Sequence, residues 1–206
     1  MKGLRNMGMG KLFIVSGPSG VGKTTLISAI IPTLQQSYPI AQALTYTTRP
    51  ARAHEKHGVD YLFIPVEEFQ AKIQAQFFLE WSDAYGAYYG SGRDITAACT
   101  QGQSRILILN WQGALQVYNQ VQDAILIWIT VSDKALLHTR LVTRNANSTL
   151  EIERRLALAT QEIEQEQREN RFKYHVLNDD FEKGHIQLSA ILSYELAPFG
   201  PAVLKE

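Results

Sequence analysis

Short apolar runs alternate with stretches whose apolar positions recur every three or four residues, and that alternation organises most of the chain. Leu12-Phe13-Ile14-Val15 has no polar position to turn toward water, the pattern of a strand covered on both faces of a sheet. From Lys23 onward Leu26, Ile27, Ile30 and Ile31 recur at helical spacing, and Pro32 predicts the end or a bend of that helix. A helix is expected over about 93–101. Arg105-Ile106-Leu107-Ile108-Leu109-Asn110 follows as a second buried strand, then a helix from Gln112, then Ala124-Ile125-Leu126-Ile127-Trp128-Ile129 as a third. Ser132-Asp133 is an N-cap signal for a helix carrying Arg140 and Arg144 on one face. Asn145-Ala146-Asn147-Ser148-Thr149 breaks it, and a long charged helix runs over about 150–169 with Arg154 and Arg155 near its start. Tyr174-His175-Val176-Leu177 predicts a last short strand, and 181–194 a closing helix. Strands alternating with helices imply an α/β fold, a parallel sheet flanked by helices with its ligand at the carboxyl ends of the strands.

Residues 40–92 have another texture. Short alternating segments at 43–47, 61–64 and 77–81 are separated by polar and glycine-containing turns, with one helix expected at 66–76 that carries Phe69 and Ile73 on one face. This reads as a strand-rich insertion. The expected division is therefore a core of 11–39 and 93–196, an insertion of 40–92, a flexible lead of 1–10 and a tail of 197–206 marked by Pro198, Gly200 and Pro201. Met7 and Met9 leave an alternative start open within the lead.

Composition narrows the classes. The 206 residues are enough for one sizeable core, and 45% hydrophobic residues fit a globular chain. Lys plus Arg and Asp plus Glu balance at 20 each, which gives no global attraction to nucleic acid or to a membrane surface, so anion binding has to be local. The single cysteine, Cys99, excludes an intrachain disulfide and fits a reducing cytoplasm. The apolar run at 12–15 is too short for a signal sequence, and no run reaches spanning length.

The local anion site is Gly17-Pro18-Ser19-Gly20-Val21-Gly22-Lys23-Thr24, which fits G-x-x-x-x-G-K-[ST] between a buried strand and a helix. Its glycines let the backbone turn and aim N–H groups inward, Lys23 supplies a cation for the β- and γ-phosphates, and Thr24 offers a hydroxyl to Mg2+. Such a loop predicts a bound nucleoside triphosphate, and it is shared by GTPases, motor ATPases and small-molecule kinases.

The insertion narrows that choice. Thr45-Tyr46-Thr47-Thr48-Arg49-Pro50-Ala51-Arg52, Glu55, Gly58-Val59-Asp60-Tyr61, Phe78-Leu79-Glu80-Trp81 and Tyr88-Tyr89-Gly90-Ser91 follow in order. Trp111-Gln112-Gly113-Ala114, Arg140-Leu141 with Arg144, Arg155-Leu156 and Asn178-Asp179-Asp180 continue the series. Together these resemble the guanylate kinases over residues 12–194. The resemblance implies a P-loop kinase core with an inserted GMP-binding subdomain and a helical lid at about 140–157, and an enzyme that moves the γ-phosphoryl group of ATP to GMP or dGMP with Mg2+. It implies ATP contacts from Gly17, Ser19, Gly20, Val21, Gly22, Lys23, Thr24, Thr25 and Asn178, the last near adenine, and magnesium at Thr24. For GMP it implies a phosphate clamp of Arg49, Arg52, Tyr61 and Tyr89 and base contacts from Thr45, Glu80, Ser91 and Asn110. Lys23, Arg49, Arg140, Arg144 and Arg155 would carry the transfer. Two guanidinium forks three residues apart suit a phosphate dianion, and a carboxylate is the natural acceptor for the guanine N1–H and amino group. The implied partners are the two nucleotides alone, in a cytoplasmic monomer or homodimer.

Four positions depart from the family, two of them by losing a carboxylate. Where guanylate kinases usually read Leu-Asp-Ile-Asp before Trp-Gln-Gly, this chain reads Leu107-Ile108-Leu109-Asn110. Ile108 cannot accept a hydrogen bond from a magnesium-bound water, and Asn110 keeps an acceptor but loses its charge. Weakened catalysis, weaker magnesium use or altered acceptor preference is the expectation. His54 and Thr45 are milder departures from glycine and serine. The losses raise one alternative, a kinase for ribose 1,5-bisphosphate, against which Arg52, Tyr61, Glu80 and Tyr89-Gly90-Ser91 stand; a third reading, a GMP-binding module of the scaffold-protein kind, is opposed by the intact phosphate cradle. His54 and His57 lack further ligands at zinc spacing, and Tyr85, Tyr88 and Tyr89 without a basic stripe fit packing or substrate contact better than nucleic acid.

Overall fold

β1 (Leu12–Ser16) is buried at every position because it is the middle strand of a five-stranded parallel sheet. The computed structural model describes residues 9–52, 55–84, 86–143 and 149–197. β7 (Ser104–Ile108) and β8 (Ile125–Thr130) flank β1, pairing Val15 with Ile108 and with Ile127. β2 (Ile40–Gln42) and β9 (Tyr174–Leu177) form the edges. Helices α1 (Lys23–Leu34), α3 (Asp94–Thr100), α4 (Trp111–Gln120), α5 (Lys134–Thr143), α6 (Thr149–Glu169) and α7 (Phe181–Leu196) alternate with these strands. Phe13, Ile14, Leu107, Leu126 and Ile129 from the sheet pack with Leu26, Ile27 and Ile30 of α1 and Leu188 and Leu192 of α7. Each such side chain contributes roughly 1.5–3 kcal/mol by leaving water.

The insertion builds a second, mixed sheet. β3 (Tyr46–Thr47), β4 (Leu62–Phe63), β5 (Phe78–Ala84) and β6 (Ala87–Gly92) stand in the order β4-β3-β6-β5, with α2 (Val66–Gln74) beside them. Its small core is aromatic: the Phe69 ring stacks on Phe78 at 4.4 Å and on Tyr88 at 5.3 Å. β5 and β6 pair antiparallel with a register shift between Phe78 and Glu80, so that Glu80 stands opposite Ser91. The extra residue lets Phe78, Leu79 and Glu80 all be buried in succession, which strict alternation forbids.

Pro32 lies in the last turn of α1, which ends two residues on at Leu34, as its position predicts. One expectation needs correction. Residue 40 is not the start of the insertion. Ile40 is buried, and Ile40–Gln42 pairs with Ser104, Arg105 and Ile106 as an edge of the main sheet. Residues 1–8 of the lead, His54, Tyr85, Arg144 with the expected lid tip at 145–148, and residues 198–206 of the tail lie outside the described residues.

Candidate active site

The phosphate cradle forms where β1 ends. Gly17, Gly20 and Gly22 take φ of 148°, 85° and 98°, all in the region that favours glycine. At Gly17 a Cβ would stand 2.1 Å from the Ile129 carbonyl oxygen, so the loop lies directly on β8. α1 begins after Gly22 with no side-chain cap and no acidic residue in its first turn. Its first N–H groups are therefore left to an anion, with the positive end of the helix dipole behind them. Lys23 Nζ donates to the Gly17 and Pro18 carbonyls at 2.5 and 3.1 Å, which folds the ammonium across the loop. Thr24 and Thr25 are exposed at the start of α1, and Ser19 is half-buried in the loop.

Other elements brace this loop. Asn178, at the end of β9, is 4% exposed. Its Nδ2 donates to the Val21 carbonyl at 2.7 Å, and its side chain is wedged between Gly22 and Gly184. Nδ2 thus braces the loop, while Oδ1 is buried with no hydrogen-bond partner among the described residues. Arg140 on α5 donates to the same Val21 carbonyl at 3.3 Å and to the Asp179 carbonyl at 3.0 Å, while Leu141 covers Gly20. Arg155 is half-buried on α6.

The insertion gathers the clamp residues. Arg49 Nη2 meets both Glu55 oxygens at 2.9 Å, Nη1 donates to the Pro50 carbonyl at 2.7 Å, and the guanidinium lies over the Tyr61 and Phe63 rings. Arg52 donates its backbone N–H to Glu55 Oε2 at 2.9 Å and brings Nη1 to 3.8 Å from the same carboxylate. The Tyr61 and Tyr89 rings are 6.4 Å apart beside them. Glu55 is the residue that sequence reasoning quoted without a role: it aims both guanidinium groups. Burial works against its charge, but the Arg52 and Arg49 hydrogen bonds outweigh that and hold its carboxyl below the ordinary range.

A polar wall stands beside the clamp. Glu80, 5% exposed, accepts from Ser91 Oγ at 2.6 Å. Burial pushes its carboxyl up to about 7, against the downward pull of Ser91. Asn110 caps α4 by accepting from Gly113 N–H at 2.7 Å. A Cβ on Gly113 would stand 3.0 Å from Asn110 Oδ1 and 3.1 Å from Glu80 Oε2, so the two oxygens face one point. Gly113 keeps that point open, a role the sequence motif did not reveal. Thr45 is half-buried at the start of β3, where its carbonyl accepts from Leu62 N–H at 2.9 Å and no side-chain bond ties it to the wall among the described residues.

Among the described residues no group of three or more His, Cys, Asp or Glu side chains could hold a metal ion. Ile108 ends β7 beside the cradle with no donor atom. A hard cation would fit only as one carried by phosphate oxygens, with the exposed Thr24 hydroxyl as the protein ligand. Among the described residues no helix is long and apolar enough to cross a membrane.

Comparison with known proteins gives one consistent result. A family model described as guanylate kinase matches residues 9–195. A guanylate kinase of Thermosynechococcus vestitus is 40% identical over 195 residues, covering 94% of this chain and 95% of that protein. One from Protochlamydia amoebophila is 39% identical over 188 residues, covering 90% and 91%. The crystal structure of guanylate kinase from Anaplasma phagocytophilum superposes with a TM-score of 0.74 at 25% identity, covering 96% of this chain and 92% of that one.

Proposed function

The chain belongs to the guanylate kinase family, and from that premise we propose that it transfers the γ-phosphoryl group of ATP to GMP or dGMP. The observation that carries the acceptor is the buried Glu80 carboxylate, held by Ser91 and facing the same point as Asn110. A guanine edge donates from N1 and from its amino group, and these acceptors match it; an adenine edge would set its own N1 acceptor against them. Arg49, Arg52, Tyr61 and Tyr89 hold the acceptor phosphate, and the loop from Gly17 to Thr24 holds the donor triphosphate.

Transfer needs no nucleophile from the protein. An oxygen of the acceptor phosphate attacks the γ-phosphorus in line, the bond to the β–γ bridging oxygen breaks, and ADP leaves with that electron pair as GDP forms. Lys23 and Arg140, with Arg144 and Arg155 of the lid, neutralise charge spread over the transferring group, and lid closure excludes water that would otherwise hydrolyse ATP. Magnesium carried with ATP supplies further charge neutralisation, and Thr24 is the residue to hold it. We place the reaction in the cytoplasm, in a monomer or homodimer, since one chain supplies both halves of the site.

The test is ADP release with GMP, dGMP, AMP or ribose 1,5-bisphosphate as acceptor. Turnover with GMP and dGMP and none with AMP is expected. Turnover with the sugar phosphate alone, or GMP binding without turnover, overturns the assignment in favour of the corresponding alternative.

A further inference from the structure

The insertion sheet ends at β5, whose outer edge meets no further strand among the described residues. Helix α4 of the core stands in for one. Gln116 Oε1 accepts the Trp81 N–H at 3.4 Å, and Gln120 Nε2 donates to the Leu79 carbonyl. These are the two peptide groups on either side of Glu80, so both are held from α4. Leu79 is also the extra residue of the register shift: Phe78 faces Gly92 and Glu80 faces Ser91, which leaves Leu79 without a partner on β6. Arg93 sets the amide of Gln120. A guanidinium can only donate, and its Nη2 takes Gln120 Oε1 at 3.0 Å while its Nε reaches the Gln76 carbonyl at 3.0 Å. The Gln120 nitrogen is thereby turned toward Leu79.

Gly113, Gln116 and Gln120 are spaced i, i+3 and i+7 on one face of α4, while Trp111, Ala114 and Val117 bury the neighbouring face in the core. The face that keeps open the point between Glu80 and Asn110 is therefore the face that grips the backbone of Glu80. We infer that Gln116 and Gln120 are positioning residues for base recognition. By tying both peptide groups of Glu80 to the helix that Asn110 caps, they fix the spacing of the two acceptors that read guanine. A bulge bends its strand and disrupts the ladder locally, and an edge strand has no second neighbour to hold it. Without the glutamines the Glu80 carboxylate would keep Ser91 but shift relative to Asn110, which stands on a different element. The guanine amino group, the donor that both acceptors can reach, would lose most. The inference rests on the reading that Glu80 and Asn110 receive the guanine edge.

The experiment measures kcat and KM at pH 8 for GMP and for IMP, which lacks the amino group, together with KM for ATP. Wild type, Gln116→Met and Gln120→Met are compared, each also in a Glu80→Gln background. Methionine keeps the length of the side chain and withdraws its hydrogen bonds. In each glutamine variant the kcat/KM preference for GMP over IMP is expected to fall about threefold or more, the effect of one lost hydrogen bond, with KM for ATP level. In the Glu80→Gln background the same substitutions are expected to change KM for GMP by less than about twofold, because they act through Glu80. A preference unchanged within about twofold, or a full effect that survives in Glu80→Gln, reduces the glutamines to a structural seam and overturns the inference. Gln120→Glu keeps Arg93 as a partner and withdraws only the donor to Leu79, so it decides the matter should Gln120→Met fail to fold. Wild type with no preference for GMP over IMP overturns both the inference and the reading beneath it.

Discussion

Recognition of the acceptor base is expected to switch on with pH across neutrality, because Glu80, the group proposed to read it, is a buried acid. Burial raises the Glu80 carboxyl from an ordinary 4.5 to about 7. Guanine presents two donors to it, and only the ionised form accepts both. With that midpoint roughly one site in ten is competent at pH 6 and nine in ten at pH 8, so KM for GMP should rise about tenfold on acidification while KM for ATP stays level. Glu80→Gln removes the titration and turns an amide N–H₂ toward the guanine donors. That costs about 2–3 kcal/mol, roughly 30- to 150-fold in GMP affinity at pH 8.

The same carboxyl makes the empty enzyme less stable. Between pH 4.5 and about 7 the unfolded chain has released this proton and the folded chain retains it, so folding stability falls as pH rises through that window. The full penalty, on the order of 3 kcal/mol, is present above it. Urea denaturation without nucleotide should therefore find Glu80→Gln more stable than wild type at pH 8, with the gap closing toward pH 5. A wild-type KM for GMP that is flat from pH 6 to 8, or a stability gap that does not depend on pH, refutes the reasoning.

Three other outcomes are expected. Burial would raise the Glu195 carboxyl, but hydrogen bonds from Lys173, Tyr174 and Lys11 outweigh it and bring it down to about 2. The stability this supplies, about 2 kcal/mol after discounting for the exposure of Lys173, is complete above pH 4.5 and is lost as pH falls toward 2, so Glu195→Gln should be less stable at pH 7 and flatter in acid unfolding. Glu55→Gln frees Arg49 and Arg52 to wander, so GMP should bind about tenfold more weakly while competing guanosine, which lacks the phosphate, binds as before. Asn110→Asp brings a second carboxylate to the point that Glu80 faces, and the acid limb of the KM profile for GMP should move up by about one pH unit or more.

The core strands and the cradle were legible because their signals are local. The run at Leu12-Phe13-Ile14-Val15 and the glycine spacing that follows need no knowledge of the rest of the chain. What stayed hidden depends on pairing across distance. Ile40 reads like the insertion next to it, yet its partners Ser104 to Ile106 lie more than sixty residues away. The bulge that buries Glu80 opposite Ser91 leaves no mark in a segment whose propensities already favour a strand. Asn178 carries the same motif whatever its amide meets, and only the fold shows its Nδ2 on the Val21 carbonyl with Gly22 and Gly184 close on either side. Glu55 looks like an ordinary surface acid until the folded chain sets Arg49 and Arg52 against it.

The turn from Ile108 to Gly113 draws these threads together. Asn110 caps α4, and an aspartate would cap it equally well while also favouring the helix dipole, so helix formation does not account for the neutral residue. Its consequence lies across the wall. Glu80 is deprived of water, with only Ser91 to lower its carboxyl, so a negative neighbour would drive its ionisation further above neutrality. The neutral Asn110 thus gives up the strength of a charge-assisted contact to the guanine amino group and in exchange leaves Glu80 ionisable near pH 7. The substitution that makes this turn look depleted on the acceptor side therefore leaves the negative charge at that wall to the one carboxylate of Glu80.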